Sequence, residues 1–401
     1  MRGVPMPALD GMRVLDFTQY EAGPSCCQYL AWLGADVVKV EPPRGEPGRK
    51  LIAANGKAQY YENYNANKRS VAVDVSTAAG RDLLRRLVAG FDVFVENQGP
   101  GVMEKLALDP AALQAVQPAL IYARIKGYGL SGPYAGYRSF DMLAQAAAGL
   151  FSLTGAADGP PVRPGGTFGD TGTGAHTAMA ILAAYVQRQR TGVGQVIEMS
   201  MHEVMTMFLR TTAVPGWDLD GSPAPRVGTR MGGSPTDMYP CRPFGPNDHV
   251  YVMVGTARMW EALCKAIDRL DLLEDPQFAT GTGREEHRDH LSAQVAAWCR
   301  TKTKHEAMTL LAEAGIAAAA VMDTHDVFHD PHLHARGFVQ EVPHPTYGSV
   351  LLLDKPFGLE KSSVTLQAAP VLGADTDSVL GSELGLSVED LASLRTEGVI
   401  A

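Results

Sequence analysis

Apolar positions along the first 130 residues alternate between two periods. MRVLDF (12–17) and DVVKVE (36–41) are short apolar runs of strand length. Between them, GPSCCQYLAWLGA (23–35) places small and apolar residues at helical spacing and leaves through a glycine. SVAVDVS (70–76) predicts a third strand. TAAGRDLLRRLVAGF (77–91) predicts a helix with Thr77 as its N-cap. DVFVEN (92–97) reads as a fourth strand, DPAALQAVQPA (109–119) as a short helix and LIYARIKGYG (120–129) as a fifth strand. Strands alternating with helices predict an α/β fold with a largely parallel sheet and ligands at the carboxyl ends of its strands.

The middle of the chain has a different texture. SFDMLAQAAAGLFSLTG (139–155) predicts a small-residue helix, and a second helix runs from Asp170 to about Arg190. TGVGQVIEMSMHEVMTMFLR (191–210) gives a further strand and helix. Glycine, proline and serine then crowd residues 221–248, the signature of a linker or an active-site loop. HVYVMVG (249–255) is a strand and RMWEALCKAIDRL (258–270) a helix. Residues 284–314 read as two helices and IAAAAVMD (316–323) as a strand. The expected plan is a large domain over 1–205, a linker over 206–224, a smaller α+β domain over 225–325, and a return to the large domain over 326–401. LGADTDSVLGSELGLSVEDLASL (372–394) is the part expected to pack back.

Composition narrows the function. The 401 residues are 45% hydrophobic, enough for a sizeable core, and carry a formal net charge of −9. That charge disfavours nucleic acid and anionic membranes as partners. No apolar run reaches about 18 residues, so no transmembrane helix is expected. The opening lacks an apolar signal core, which predicts a cytoplasmic protein. Cys26, Cys27, Cys241, Cys264 and Cys299 form neither a CxxC nor a Cys/His metal spacing, and read as reduced, buried thiols.

One stretch carries candidate chemistry: GGTFGDTGTGAH (165–176), a single carboxylate among glycines and small hydroxyl residues. Asp170 suits a helix N-cap, where the dipole welcomes its charge. It suits a nucleophile equally, since an ionised carboxylate attacks an activated carbonyl without a general base. The same dipole and amide donors would keep it ionised near neutral pH. Gly169, Gly172 and Gly174 would admit substrate close to the backbone and offer N–H groups to an oxyanion. DTGTG also resembles the phosphate loop of sugar-kinase-like ATPases. There, however, the loop joins two strands, whereas a helix follows directly here.

A series of motifs resembles the class III coenzyme A transferases, a family with formyl-CoA transferase and carnitine CoA-transferase among its members. They are VLDFTQYEAGP (14–24), LGADVVKVEPPRGEPGR (33–49), NANKRSVAVDV (65–75), VENQGPGVMEKLAL (95–108), KGYGLSGPYAGYRSFDMLAQAAAG (126–149), GDTGTG (169–174), TGVGQVIEMSM (191–201) and, late on, LGADTDSVL (372–380). The resemblance implies a doubly wound large domain, a smaller domain reached by long linkers, and an interlocked homodimer.

It also implies that Asp170 is the catalytic aspartate. Its carboxylate would attack an acyl-CoA thioester, and CoA would pass through an aspartyl-CoA thioester to an acceptor carboxylic acid, with no ATP and no metal. CoA and acyl-CoA would then be substrates, with no permanently bound cofactor. The implied CoA-binding positions are Glu21, Ala22, Val73, Asp74, Val75, Ser76, Asn97, Gln98, Gly99, Lys105, Arg138, Ser139, Phe140 and Asp141. Lys105 replaces a frequent arginine, keeping charge without the bidentate fork. Lys68 and Arg69 are further basic candidates without a role. Oxalate-accepting members carry glutamine where this chain has Glu21, and a longer glycine-rich loop, for which MGGSPTD with Gly232 and Gly233 is the nearest equivalent. A carboxylate at Glu21 repels a small dianion unless protonated or paired, so a larger or differently charged acid is expected.

Two other readings compete. An α-methylacyl-CoA racemase carries His-Asp where this chain has Phe140-Asp141, so a two-base mechanism lacks one partner here, unless His176 replaces it. A non-catalytic acyl-CoA-binding protein needs the CoA positions but not Asp170.

Overall fold

The computed structural model describes residues 6–51, 56–212 and 221–401, so residues 213–220 of the expected 206–224 linker lie outside the described residues. The chain folds into two units. One comprises residues 1–152, 163–224 and 335–401, and the other 153–162 and 225–334.

The first unit is built on six strands, β1 (Arg13–Phe17), β2 (Asp36–Glu41), β3 (Arg69–Ala72), β4 (Val93–Glu96), β5 (Ile121–Lys126) and β6 (Val196–Ser200). They lie in the order β3-β2-β1-β4-β5-β6, and every neighbouring pair is parallel. The helices between them are α1 (Ala22–Trp32), α2 (Gln59–Asn65), α3 (Ala78–Val88), α4 (Val102–Leu106), α5 (Pro110–Val116), α6 (Asp141–Ala147), α7 (Leu150–Leu153) and α8 (Phe168–Thr191), with α9 (Met201–Phe208) after β6.

Alternation along each strand feeds two cores, because successive side chains point to opposite faces. Val14, Val93, Val95, Ile121 and Ala123 pack against α1, α6, α8 and α9. Leu15, Phe17, Val38, Phe94 and Tyr122 pack on the other face with Leu83, Leu84, Leu87 and Val88 of α3. A doubly wound α/β fold results. The C-terminal residues complete the second face. Val379, Leu380, Leu391, Val399 and Ile400 belong to that core, Thr376 Oγ1 accepts from Ala72 N at 3.1 Å, and Val73 bridges to Ile400.

The second unit holds an antiparallel sheet of Asp237–Pro240, His249–Met253 and Ala317–Ala320. Its helices surround a core of Tyr239, Val250, Trp260, Leu263, Leu291 and Leu311. All five cysteines are free and buried.

Local chemistry sets several boundaries. Thr77 caps α3 by accepting from Gly80 N, and Asp109 with Pro110 starts α5. The single helix expected over 139–155 is broken at Gly149, whose φ of +95° is left-handed. Asp170 does not open α8. Thr167 is the N-cap, and Asp170 is the third residue of the helix.

Candidate functional site

In this strand order, connections leave β1 and β4 in opposite directions, which opens a crevice at the carboxyl ends of those two strands. Residues 18–21 follow β1 and residues 97–99 follow β4. Asn97 fastens the two loops: its Oδ1 accepts from Gln19 N at 2.9 Å and its Nδ2 donates to Gln19 O at 2.7 Å.

A buried network of charges supports the β1 loop from below. Asp16 accepts from Lys68 Nζ at 2.9 Å and from Thr18 N at 3.0 Å. Burial alone would raise the Asp16 carboxyl, but Lys39 and Lys68 outweigh it and hold it at about 2. Lys39 donates to Thr18 O at 3.0 Å, and Glu46 Oε2 accepts from Tyr20 N at 3.0 Å. Tyr20 is thereby held at a φ of +64°. Lys68, a basic candidate without a role in the sequence, is a structural member of this network. Arg69 pairs with Asp36 at 2.6 Å.

α8 brings Asp170 to the same crevice. Its backbone N–H donates to Asp141 Oδ1 at 3.1 Å, and Gln145 Nε2 holds the other Asp141 oxygen at 2.7 Å. The glycines around Asp170 serve packing, and for Gly172 and Gly174 this corrects the reading of them as an oxyanion cradle. A Cβ on Gly169 would lie 2.8 Å from Asp141 Oδ1, and one on Gly174 would lie 2.8 Å from Ala22 O and 3.0 Å from Cys26 N. A Cβ on Gly172 would meet Phe208 at 3.0 Å. The amides of Gly172 and Gly174 belong to the interior helical ladder. Of the three, only Gly169 in the first turn has an N–H outside it.

Asp170 also departs from the expected ionised state. Burial, then the charges of Glu21 and Asp141, push its carboxyl up to about 8. Glu21 is 2% exposed and is raised as well, chiefly by burial. Its Oε1 accepts from the hydroxyls of Thr167 and Thr171, the latter at 2.9 Å.

A cavity of about 480 Å³ surrounds Asp170 and is lined by Glu21, Ala22, Asn97, Gln98, Gly99, Lys105, Arg138, Ser139 and Phe140. Nine of the expected binding positions are therefore gathered at the nucleophile candidate. Asp74, Val75 and Ser76 line an adjoining cavity of about 260 Å³ that shares Gln19 and Gln98 with the first. Val73 and Asp141 face inward instead: Val73 is 1% and Asp141 5% exposed. Gly232 and Gly233 lie in the second unit, where Gly232 O accepts from Arg288 Nη2 at 2.9 Å, and neither lines the Asp170 cavity.

A larger cavity of about 850 Å³ sits within the second unit beside Gly232. Its cations are engaged, Arg288 with Glu285 and Arg230 with Asp237 and Asp289. The shifted carboxyl lies elsewhere, and the crevice is the candidate site.

Tyr60 and Tyr64 escaped the sequence analysis. Burial, then the charge of Glu21, raises both hydroxyls far above the ordinary tyrosine value, with Asp170 contributing. Their i, i+4 spacing in QYYENYN was the available signal for one helix face. His176 does not line the cavity. Its Nδ1 lies 2.8 Å from Gly172 O and its ring packs on Phe208. Phe140, 58% exposed, supplies no base.

Comparison with known proteins identifies the family. Residues 9–376 match the family model described as CoA-transferase family III. A formyl-CoA:oxalate CoA-transferase of Streptomyces coelicolor is 36% identical, over 98% of this chain and 99% of its own length. The enzyme of that name from Rhodopseudomonas palustris is 35% identical, over 98% and 97%. The crystal structure of a CaiB/BaiF family protein from Brucella suis superposes with a TM-score of 0.84 at 31% identity, covering 94% of this chain and all of that one. The chain belongs to CoA-transferase family III, whose enzymes use CoA thioesters as substrates.

Proposed function

We propose that this transferase moves CoA from an acyl-CoA to a carboxylic acid through a covalent thioester on Asp170. The Asp170 carboxylate attacks the thioester carbon, the C–S bond breaks, and its electron pair leaves on the CoA thiolate. The thiolate then attacks the aspartyl carbonyl, displaces the donor carboxylate and leaves CoA on Asp170. The acceptor carboxylate attacks this thioester, forms a second anhydride and expels the thiolate again. The thiolate returns to the acceptor acyl carbon and releases Asp170. Each step retains an activated acyl bond. Holding the thiolate beside the anhydride supplies the effective concentration that makes recapture fast.

The observation that carries this reading is a partly buried carboxylate, free of any described cation, at the mouth of a switch-point crevice. Lys105 and Arg138, exposed on the cavity lining, suit the phosphates of the carrier. The backbone of residues 97–99 and the adjoining cavity at residues 74–76 suit other parts of it. Asp141 acts indirectly, by fixing the Asp170 backbone. Phe140 in place of a histidine weighs against the racemase. Among the acceptors, Glu21 near Asp170 disfavours a dianion such as oxalate, the acid named for the relatives above.

The protein acts as a homodimer in this reading. α8 leaves Met179 62% and Val186 50% exposed, and Val196 on the edge strand β6 is 43% exposed. A second copy would cover such an apolar face. A cytoplasmic setting agrees with five free thiols, and no described helix is long and apolar enough to cross a membrane.

The test is Asp170→Ala, expected to abolish transfer while the chain stays folded. Mass spectrometry of wild type quenched during turnover is expected to find CoA on Asp170. Full activity in the variant, or an acyl group carried elsewhere, rejects the proposal. Exchange of an α-proton in heavy water without an acceptor would indicate the racemase instead. A panel of carboxylic acids with formyl-, acetyl- and succinyl-CoA identifies the acceptor, and oxalate as the best acceptor contradicts the argument from Glu21.

A further inference from the structure

The first turn of α8 and the starts of α1 and α6 place three carboxyl groups together without a counter-charge. Asp141 is satisfied by the Asp170 amide and by Gln145. Glu21 takes the hydroxyls of Thr167 and Thr171, which bracket Asp170 on one face of α8, and the Tyr64 hydroxyl is a further partner. The Asp170 carboxylate receives no hydrogen bond from any described residue. No described lysine, arginine or histidine forms an ion pair with any of the three.

The surrounding titratable groups do not supply the missing charge. Tyr60 and Tyr64 face the pair from α2 and Tyr29 faces Glu21 from α1, all three with raised hydroxyls. Glu46 beyond β2 is tied to Tyr20 N. Lys126 on the cavity wall is engaged by Glu96 at 2.8 Å. Lys105 and Arg138 also line the cavity but are exposed. Neighbouring carboxyls in such a site do not all ionise together.

Resting on the function proposed above, we propose that Glu21 and Asp170 form a proton-sharing pair in which the proton that Asp170 holds at rest passes to Glu21 as Asp170 attacks. When the Asp170 oxygen bonds to the thioester carbon and the thiolate departs, the negative charge passes from Asp170 to sulfur. The proton stays on Glu21 throughout and is not consumed. An incoming acceptor carboxylate then meets a neutral Glu21 rather than a second anion. Loss of that proton to solvent restores the repulsion. Glu21 is thus a positioning and specificity residue, and the pair titrates as a unit with two macroscopic steps.

The experiment is the pH profile of kcat/KM for the acceptor acid, over about pH 5–10. Wild type is expected to show a bell. Glu21→Gln is expected to lose the alkaline limb, because no ionisable group remains at position 21 to lose a proton. An unmoved, two-limbed profile in the folded variant overturns the inference.

Infrared difference spectra of wild type against Asp170→Asn report the same proton without turnover, and without depending on a Glu21 variant that folds. Two separate losses of the protonated-carboxyl band as pH rises support the pair, and a single loss overturns it. The spectra also separate the two proposals. A pair that titrates in two steps while CoA is never found on Asp170 rejects the covalent route and leaves the proton sharing standing. CoA on Asp170 with a single-step titration does the reverse.

Discussion

At neutral pH Asp170 holds a proton that an ordinary aspartate has shed. Transfer that begins on the carboxylate is therefore expected to speed up about tenfold per pH unit until about pH 8, as read by adduct formation in a single turnover. The same shift fixes the sign of a stability effect. An unfolded aspartate titrates near 3.8 and the folded one near 8, so the folded state holds the extra proton between those values. Stability falls as pH rises across that window. Asp170→Asn is accordingly expected to gain on the order of 2–4 °C more in Tm at pH 9 than at pH 5. An equal gain at both values would count against the raised carboxyl. Asp170 stood out in the sequence because one acid lay among glycines. Its protonation state was not legible, since that depends first on burial and then on Glu21 and Asp141, distant in sequence and close only in the fold. The glycines were misread for a similar reason. Gly174 has no side chain because Ala22 O and Cys26 N of α1 occupy the space. Gly174→Ala is expected to cost about 1–3 kcal/mol in urea unfolding. Gly165→Ala, with nothing within 4 Å of the added carbon, is expected to stay within about 0.5 kcal/mol of wild type.

Elements succeed or fail as predictions according to whether their periodicity is local. β1 to β5 and α3 were legible because each carries a complete apolar pattern and clear boundary residues. α2 was not, since QYYENYN is short, aromatic and polar, and is fixed from outside. Gln59 donates to Leu351 O at 2.8 Å, and Glu62 Oε1 lies 3.2 Å from His344 Nε2. These contacts turn Tyr60 and Tyr64 towards Glu21. The loop after β1 depends on equally distant partners, and Lys68 is the member whose removal isolates Asp16 most. Lys68→Met leaves a fully buried carboxylate with Lys39 at 4.0 Å as its remaining cation. Loss of one partner of a buried pair costs about 3–5 kcal/mol. The depressed Asp16 contributes stability above the ordinary aspartate range, and this is lost as pH falls through about 2. The difference between wild type and Lys68→Met is therefore expected to be large at pH 7 and to shrink below about pH 3. A constant difference across that range would show that Lys68 acts by packing alone.

For the molecule as a whole, the unexplained feature is an apolar face on a chain with a net charge of −9. α8 is buried on one side through Thr173, Thr177, Ile181 and Ala184, yet Met179 and Val186 stand out on the other. Phe208 on α9 is 47% exposed and Val196 belongs to the edge strand β6. Isolated exposed hydrophobics are ordinary, but these occupy successive elements of one sheet edge. Charge keeps monomers apart at long range, and only burial of apolar area offsets that repulsion at contact. Methionine and valine on this face each contribute about 1.5–3 kcal/mol when fully buried. Replacing both Met179 and Val186 with lysine removes that contribution and places two cations in the proposed contact. Neither side chain is in the buried core of the first unit, so each subunit is expected to remain folded by circular dichroism. Sedimentation velocity is expected to show wild type as a dimer and the double variant as a monomer at micromolar concentration. A variant that sediments as wild type does would place the subunit contact on another face, or exclude one.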